Sequence, residues 1–293
     1  MNNLPSTAGV YRYRPACVLW VEGDDAAAFL QGQFSNDLGG LEPGRGAYGL
    51  WLDRRGRVVA DSHVVRAEGG YWVASVSSPA ADVMRRLGAF IIADDVVLDD
   101  RTAGWWALAL VGEGAGAWLG AQPREGLVLG GRRAARESWE WMVPGSGLAG
   151  ADAALGGARA LAWEELERTR IDAGIASVPR DIGPGDLPNE GGLEAAAISY
   201  SKGCYLGQEV MARLRSRGSV RRALVRVRGS GAPPPVPAAL WSGDRASGEL
   251  RSAAPAEGGG GFRGLALVPV GSARPGTALG LERGGAPSLE VAA

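Results

Sequence analysis

The chain is short of the residues that build most metal and hydrolase sites. Its 293 residues include one histidine, His63, and two cysteines, Cys17 and Cys204. There is no C-x-x-C, no H-E-x-x-H and no Cys/His cluster, so neither a structural nor a catalytic zinc site is expected. A permanently held iron–sulfur cluster takes about four thiolates, more than this chain can supply. A Ser-His-Asp triad would have to recruit His63, and no serine stands in a nucleophile context. No apolar run reaches the roughly 18 residues of a membrane span. The start, "MNNLPSTAGVYRYRPACVLW", lacks the apolar stretch of a signal peptide. The formal net charge is only −1, which does not favour indiscriminate nucleic-acid binding. Free thiols in a reducing cytoplasm, no bound metal and no membrane partner are the expectations.

What is present describes a globular protein. A hydrophobic fraction of 46% with 22% charged residues excludes disorder, and the length suits two or three domains. "CVLWVEG" reads as a strand, after which Asp24 would cap a helix through "DAAAFLQGQF". "AYGLWLDRRGRVVADSHVVRAEGGYWVASV" gives three strands joined by short Gly-containing turns. "SPAADVMRRLGAFII" looks like a helix with a serine cap and proline in its first turn. Strands follow near Val96–Leu98, Trp105–Val111 and Trp139–Val143. "ALAWEELERTRIDAG" is a helix with acids early, arginines late and Gly174 as its stop, as the helix dipole prefers. Hairpins and helices alternate without a regular βαβ beat, which argues α+β. A long Pro- and Gly-rich connection, 175–197, is of the length that is often functional. From about Val220 the pattern becomes short strands separated by glycine turns, a small antiparallel β-domain or barrel. The expected domains are therefore 1–219 and 220–293.

Cys204 draws attention first. It lies in "KGCYLGQEVMARLRSRG", with Lys202 two residues away and a helix beginning just after Gly207. An amine and a helix N-terminus both favour a thiolate; against this, a free cysteine is commonly a small buried hydrophobe. Cys17, at a strand start, reads as core. Asp61, inside the apolar strand "RVVADSHVV", either faces solvent or needs a partner in the interior. Asp172 ends a helix, where the dipole disfavours an acid unless something cationic or N–H-rich uses it. From Arg213 to Arg228 there are seven arginines and no acid, so one surface is expected to be positive. "LVGEGAGAWLG" satisfies G-x-G-x-x-A through Gly112, Gly114 and Ala117, but the helix after it is short and Glu137 precedes a strand, so a turn without nucleotide is the preferred reading.

These residues together resemble a known family. "KGCYLGQE", comprising Lys202, Gly203, Cys204, Tyr205, Gly207, Gln208 and Glu209, resembles the K-G-C-[FY]-x-G-Q-E signature of the YgfZ family of folate-binding proteins. The likeness extends through "LPNEGGLEAAAISYS" and "VMARLRSRG", and to "VEGDDAAAFLQGQFSNDL" near the start. The tail "GELRSAAP…GFRGLALV" is similar to the barrel of the glycine-cleavage T-protein. The resemblance implies a ring of three domains around a folate-binding channel: two interleaved α+β domains and a C-terminal antiparallel β-barrel. It implies tetrahydrofolate as the cofactor, held by Asp172 and Asp61, with Arg213, Arg217 and Arg221 attracting its glutamate tail or a client. Asp61 falls where the T-protein pattern has its second acid; Ala60 replaces the first. Cys204, with Lys202 beside it, has no counterpart in the T-protein's K-x-D-F-I-G.

The function implied is an accessory role in making or repairing iron–sulfur clusters of client enzymes, including tRNA-modifying ones, with Cys204 as the essential thiol at the rim of the folate cavity. Two alternatives stay open: a folate-dependent aminomethyltransferase using Asp61, and a tRNA-binding module using the arginine-rich stretch. Whether the chain is itself an enzyme is left undecided by its sequence.

Overall fold

The computed structural model describes residues 4–122 and 125–293. The first strand, β1 (Gly9–Tyr13), is followed at once by β2 (Cys17–Glu22), yet the two belong to different sheets. Next come α1 (Ala26–Gln33), β3 (Gly46–Leu52), β4 (Val58–Ala67), β5 (Gly70–Ser75), α2 (Ala80–Gly88) and β6 (Val97–Asp100). Strands β2 to β6 form one antiparallel sheet of order β3-β4-β5-β2-β6, with α1 and α2 packed on one face. The chain then returns to the sheet of β1 with β7 (Trp105–Val111), α3 (Ala115–Gly120), β8 (Leu127–Gly130), β9 (Ser138–Pro144), α4 (Leu148–Ala154) and β10 (Arg159–Ala160). That second sheet has the order β10-β1-β7-β9-β8, and only the β1–β10 pair is parallel. The first sheet is thus an insertion between β1 and β7, which is how the two α+β halves interleave.

The helix α5 (Trp163–Asp172) leads into the long connection, which holds only a short turn at 188–191 and α6 (Glu194–Ala197). After α7 (Gln208–Arg217) the chain builds a third sheet from β11 (Arg222–Gly229), β12 (Ala238–Ser242), β13 (Arg245–Pro255), β14 (Phe262–Pro269), β15 (Ala278–Leu279) and β16 (Leu289–Val291). Its order is β12-β13-β14-β11-β16-β15, and reciprocal backbone bonds between Trp241 and Gly280 bring the two ends together into a nearly closed barrel. The α+β architecture with a C-terminal antiparallel barrel is as expected from the sequence. No described helix is long and apolar enough to cross a membrane.

Period-two alternation on β4 decides where function can lie. Ala60 and Val64 face α1 and α2 in the first core, while Asp61, His63 and Val65 face the other way, toward the second sheet. Between the sheets Val18, Val65 and Ala74 pack on Trp105, Ala107, Leu127, Leu129 and Met142. Beside that apolar layer the gap is left open and lined by polar groups.

Two expected helix caps are corrected. The N-cap of α1 is Asp25 rather than Asp24, and its carboxylate accepts from the Asp95 backbone instead of capping the helix. The N-cap of α2 is Pro79, not Ser78, because the Ser78 hydroxyl is engaged by Asp61. The G-x-G-x-x-A stretch is a turn whose N–H groups are taken within the chain: Glu137 accepts from Gly114 N at 2.8 Å and Gly116 N at 2.7 Å. A carboxylate of the protein occupies the place a phosphate would need.

Candidate functional site

Asp61 stands in the cavity between the two sheets. Its Oδ1 accepts from the hydroxyls of Ser78 at 2.6 Å and Ser75 at 2.8 Å, and its Oδ2 accepts from Tyr48 at 3.0 Å. Burial raises the carboxyl above the usual range, and the hydroxyls of Ser78, Ser75 and Tyr48 pull it back down. Cross-strand pairing of Tyr48 with His63 places both rings on the cavity face, 5.1 Å apart. Burial and the nearby Arg132 push His63 down to about 4, so at neutral pH it is an uncharged imidazole. The Arg132 guanidinium covers the Tyr48 ring at 4.5 Å. The space inside is about 440 Å³ counting its mouth, but only about 40 Å³ admits the centre of a water molecule.

The opposite wall carries groups that the sequence reading missed. Glu140, on β9, accepts from Arg133 Nε at 2.9 Å and from the Tyr13 hydroxyl, on β1, at 2.7 Å. Arg133 and Glu140 are both buried; burial works against the guanidinium's charge, and Glu140 more than restores it. The signal that could have found Glu140 is the one that found Asp61, an acid in an otherwise apolar strand, here "SWEWMV". The cavity floor is Arg170, on α5. It bonds Glu167, Asp181 at 2.6 Å and Ser252 of the barrel at 2.8 Å, and Ser252 donates to Asp181. This buried network ties α5, the long connection and the barrel into one wall.

Cys204 is exposed, whereas Cys17 is buried and its thiol raised by burial, as core residues are. The Cys204 loop passes around the β3 edge of the first sheet. Ser199 N bonds Ser35 O and Leu206 N bonds Gly32 O, so the loop is stitched to the end of α1. Lys202 is its anchor: Nζ donates to the carbonyls of Gln31 at 2.6 Å, Phe34 at 2.8 Å and Asn36 at 2.8 Å. All three ammonium protons are spent on backbone carbonyls at the end of α1 and just beyond it. The expected role of Lys202 as the amine that poises the thiol is therefore corrected to that of a buried clamp. Burial pulls its pKa down to about 8, opposed by Asp37.

The rest of the motif is explained by packing. Tyr205 fills the core formed by Leu50, Leu52 and Val58. Gly207 has φ +88°, and a Cβ there would lie 2.9 Å from Asp53 O and 3.1 Å from Gly56 Cα, so glycine lets α7 start hard against the β3–β4 turn. Gln208 opens α7, and Glu209 sits exposed in its first turn, where the dipole favours an acid. Nothing in the structure requires glycine at 203.

Asp61 and Cys204 do not share a cavity: Cys204 is absent from the residues lining the Asp61 cavity. Asp172 is also outside. It is exposed at the end of α5, with Arg263 of the barrel 3.8 Å away and Arg226 bonded to its carbonyl. Asp172 therefore does not share the Asp61 cavity as expected, since the helix turns Arg170 inward and Asp172 outward. Arg213 and Arg221 are exposed and away from the cavity; the Arg217 side chain lies outside the described residues.

The fold is aminomethyltransferase-like. Residues 3–123 match the GCVT N-terminal domain. The solved glycine cleavage system aminomethyltransferase T from Bartonella henselae superposes with a TM-score of 0.79 over 98% of this chain and 86% of that one, at 20% identity, which speaks for the fold alone. The tRNA-modifying protein YgfZ of Edwardsiella ictaluri (strain 93-146) is 30% identical over 72% of this chain and 68% of its own length. The mitochondrial iron-sulfur cluster assembly factor IBA57 of Homo sapiens is 28% identical over 74% of this chain and 65% of its own length. The chain belongs to the YgfZ family.

Proposed function

We propose that the chain is a tetrahydrofolate-binding accessory protein for the synthesis or repair of iron–sulfur clusters in client enzymes, tRNA-modifying ones included, and that it acts in the cytoplasm. The observation that carries this reading is the exposed sulfur of Cys204 on a loop that Lys202 holds rigid. A lone thiolate cannot cage a cluster. It can lend one soft ligand to a cluster in transit while a client supplies the others. The names of the relatives, one an assembly factor and one a tRNA-modifying protein, support the reading.

The cavity chemistry suits a pterin. Asp61 and Glu140 would accept from its N–H groups, Tyr48 and His63 flank the space, and Arg132 and Arg133 would supply donors to its carbonyl. The interior is water-sized in this structure, so a pterin would enter only with movement of the cavity's lining. The folate, when bound, would contribute its one-carbon chemistry or simply a folded conformation; the protein's part is to orient it and exclude water. The test is a Cys204→Ser protein in a strain lacking the gene. Unchanged melting with loss of rescue is expected, and full rescue would defeat the thiol's role.

A second reading, folate-dependent aminomethyl transfer, is favoured by one observation. Ala60 points to the opposite face of β4, so the missing first acid of the T-protein pattern takes nothing from this cavity, and Asp61 remains. Turnover of a small amine that Asp61→Asn abolishes and Cys204→Ser leaves alone would select it.

A further inference from the structure

The first sheet is electrically lopsided. Its β6 edge carries exposed Asp94, Asp95, Asp99 and Asp100, in the strand and just before it. Its β3 edge, four strand steps or roughly 19 Å away, is where the Cys204 loop and α7 pack. There the sign of the charge reverses. Arg54 and Arg55 stand exposed at the tip of the β3–β4 turn. That turn is pressed against the joint between the Cys204 loop and α7: a Cβ on Gly56 would lie 2.8 Å from Val210, and one on Gly207 2.9 Å from Asp53 O. Exposed Arg213 and Arg215 continue the surface along α7, and exposed Arg221 follows it.

These arginines have no acidic partner: among the described residues none of them forms an ion pair. Asp53 turns its carboxylate to the N–H groups of Arg55 and Arg57, and Asp37 turns its own to Gln31 and Gly39. Glu209, exposed in the first turn of α7, is left to oppose them. Unpaired like charges repel one another, a cost that an arriving partner of opposite sign removes.

The rings and the thiol indicate which kind of partner. Nucleic-acid grooves add bare aromatic faces on which bases stack. Here the half-buried rings are already covered: the Arg215 guanidinium stands 4.3 Å from the Tyr200 centroid, and Arg86 stands 4.5 Å from that of Phe90, with Arg54 at 5.8 Å. A protein that carries an iron–sulfur cluster suits the surface better. A thiolate-ligated cluster is itself an anion, acids around it add to the attraction, and the β6 edge repels the same partner and so sets its approach. On the reading of Cys204 as the working thiol, we propose that the β3–β4 turn and α7 form a docking surface for an acidic protein face, with Arg54, Arg55 and Arg213 steering that face onto Cys204.

The first experiment measures the potential at the thiol. Cys204 of the full chain is treated with an anionic disulfide (dithiobis-nitrobenzoate) and a cationic one (cystamine), and loss of free thiol is followed; Cys17→Ser excludes the second thiol. Each rate is divided by that of a short neutral cysteine peptide. The anionic reagent should be favoured about tenfold or more at low salt, and the preference should vanish near 1 M salt, where the Debye length is about 3 Å. The triple variant Arg54→Glu, Arg55→Glu, Arg213→Glu should reverse it. No preference at low salt, or one that charge reversal leaves in place, overturns the proposal. The second experiment compares polyglutamate with mixed tRNA as protectors of Cys204 against neutral dithiodipyridine. Protection by polyglutamate that the triple variant loses is expected; stronger protection by tRNA, or none by either, overturns the proposal. In a strain lacking the gene, the triple variant should lose rescue with unchanged melting, while lysine at the same three positions keeps it. If Cys204→Ser loses rescue and the triple variant does not, the docking surface fails and the thiol reading stands. Full rescue by Cys204→Ser removes both. Should the glutamate variant melt early, glutamine at the three positions is read in its place.

Discussion

Asp61 lies in the first α+β half and Cys204 on a later loop stitched to that half, and the protein treats them in opposite ways. Asp61 is held by three hydroxyls from three different strands or turns, in a space where burial raises its pKa. Cys204 is left open to solvent, and the structure spends its bonds on the neighbour, Lys202, whose ammonium is saturated by three carbonyls. A side chain fixed by its own partners suits a ligand that must be held still. A side chain that is free, on a backbone that is not, suits an atom that must be reached by something outside. The contrast separates holding from handing over, and it makes the two sites independently breakable.

The sharpest way to break the contrast is at Lys202. Lys202→Met leaves three carbonyls at the end of α1 without their donor and is expected to destabilise the fold by about 3 kcal/mol or more, read from denaturant midpoints. Cys204→Ser, at an exposed position, should move the same midpoint by less than about 0.5 kcal/mol. If Lys202→Met were as mild, the loop would not be pinned. His63 comes next. It is near 4 when folded and 6.5 when unfolded, so the unfolded chain binds more protons between those values. Its stability contribution is complete above about pH 6.5 and is lost as pH falls toward 4, by at most about 3 kcal/mol. His63→Gln should flatten that part of the stability profile, and an unchanged slope would mean the imidazole is not sequestered. On the proposed folate site, Asp61→Asn should weaken tetrahydrofolate binding by about 10- to 100-fold, or 1–3 kcal/mol. It should leave the rate of Cys204 alkylation as it was, and a shared response of both sites would merge them into one.

How much of this could be read from the chain depended on the range of the interaction. Strands such as β2, β7 and β9 were legible because alternation and β-branched or aromatic residues are local signals. Cys204 stood out through its neighbours in sequence. Ser78 was misread because a serine before a proline looks like a cap, and only the approach of β4 shows that its hydroxyl serves Asp61. Asp172 was misread for a related reason: the helix end was right, but which residue of α5 faces the cavity depends on a barrel that arrives about 80 residues later, at Ser252. Tyr13, Arg133 and Glu140 went unseen because they meet across non-neighbouring strands of the second sheet, and 127 residues of chain separate Tyr13 from Glu140. Lys202 was placed correctly and given the wrong task, since a lysine beside a cysteine in sequence need not be beside it in space.

The insertion of one sheet into the other has a consequence for biosynthesis. β1 leaves the ribosome early, but the strand it pairs with begins at Trp105, more than 90 residues later. At roughly 5–20 residues per second, that is a wait of about 5–20 s. During that interval the inserted sheet can close on itself, while β1 trails as an unsatisfied edge, open to wrong partners or to a chaperone. The last strand of its sheet to appear, β10 at Arg159–Ala160, pairs parallel to β1 and covers that edge.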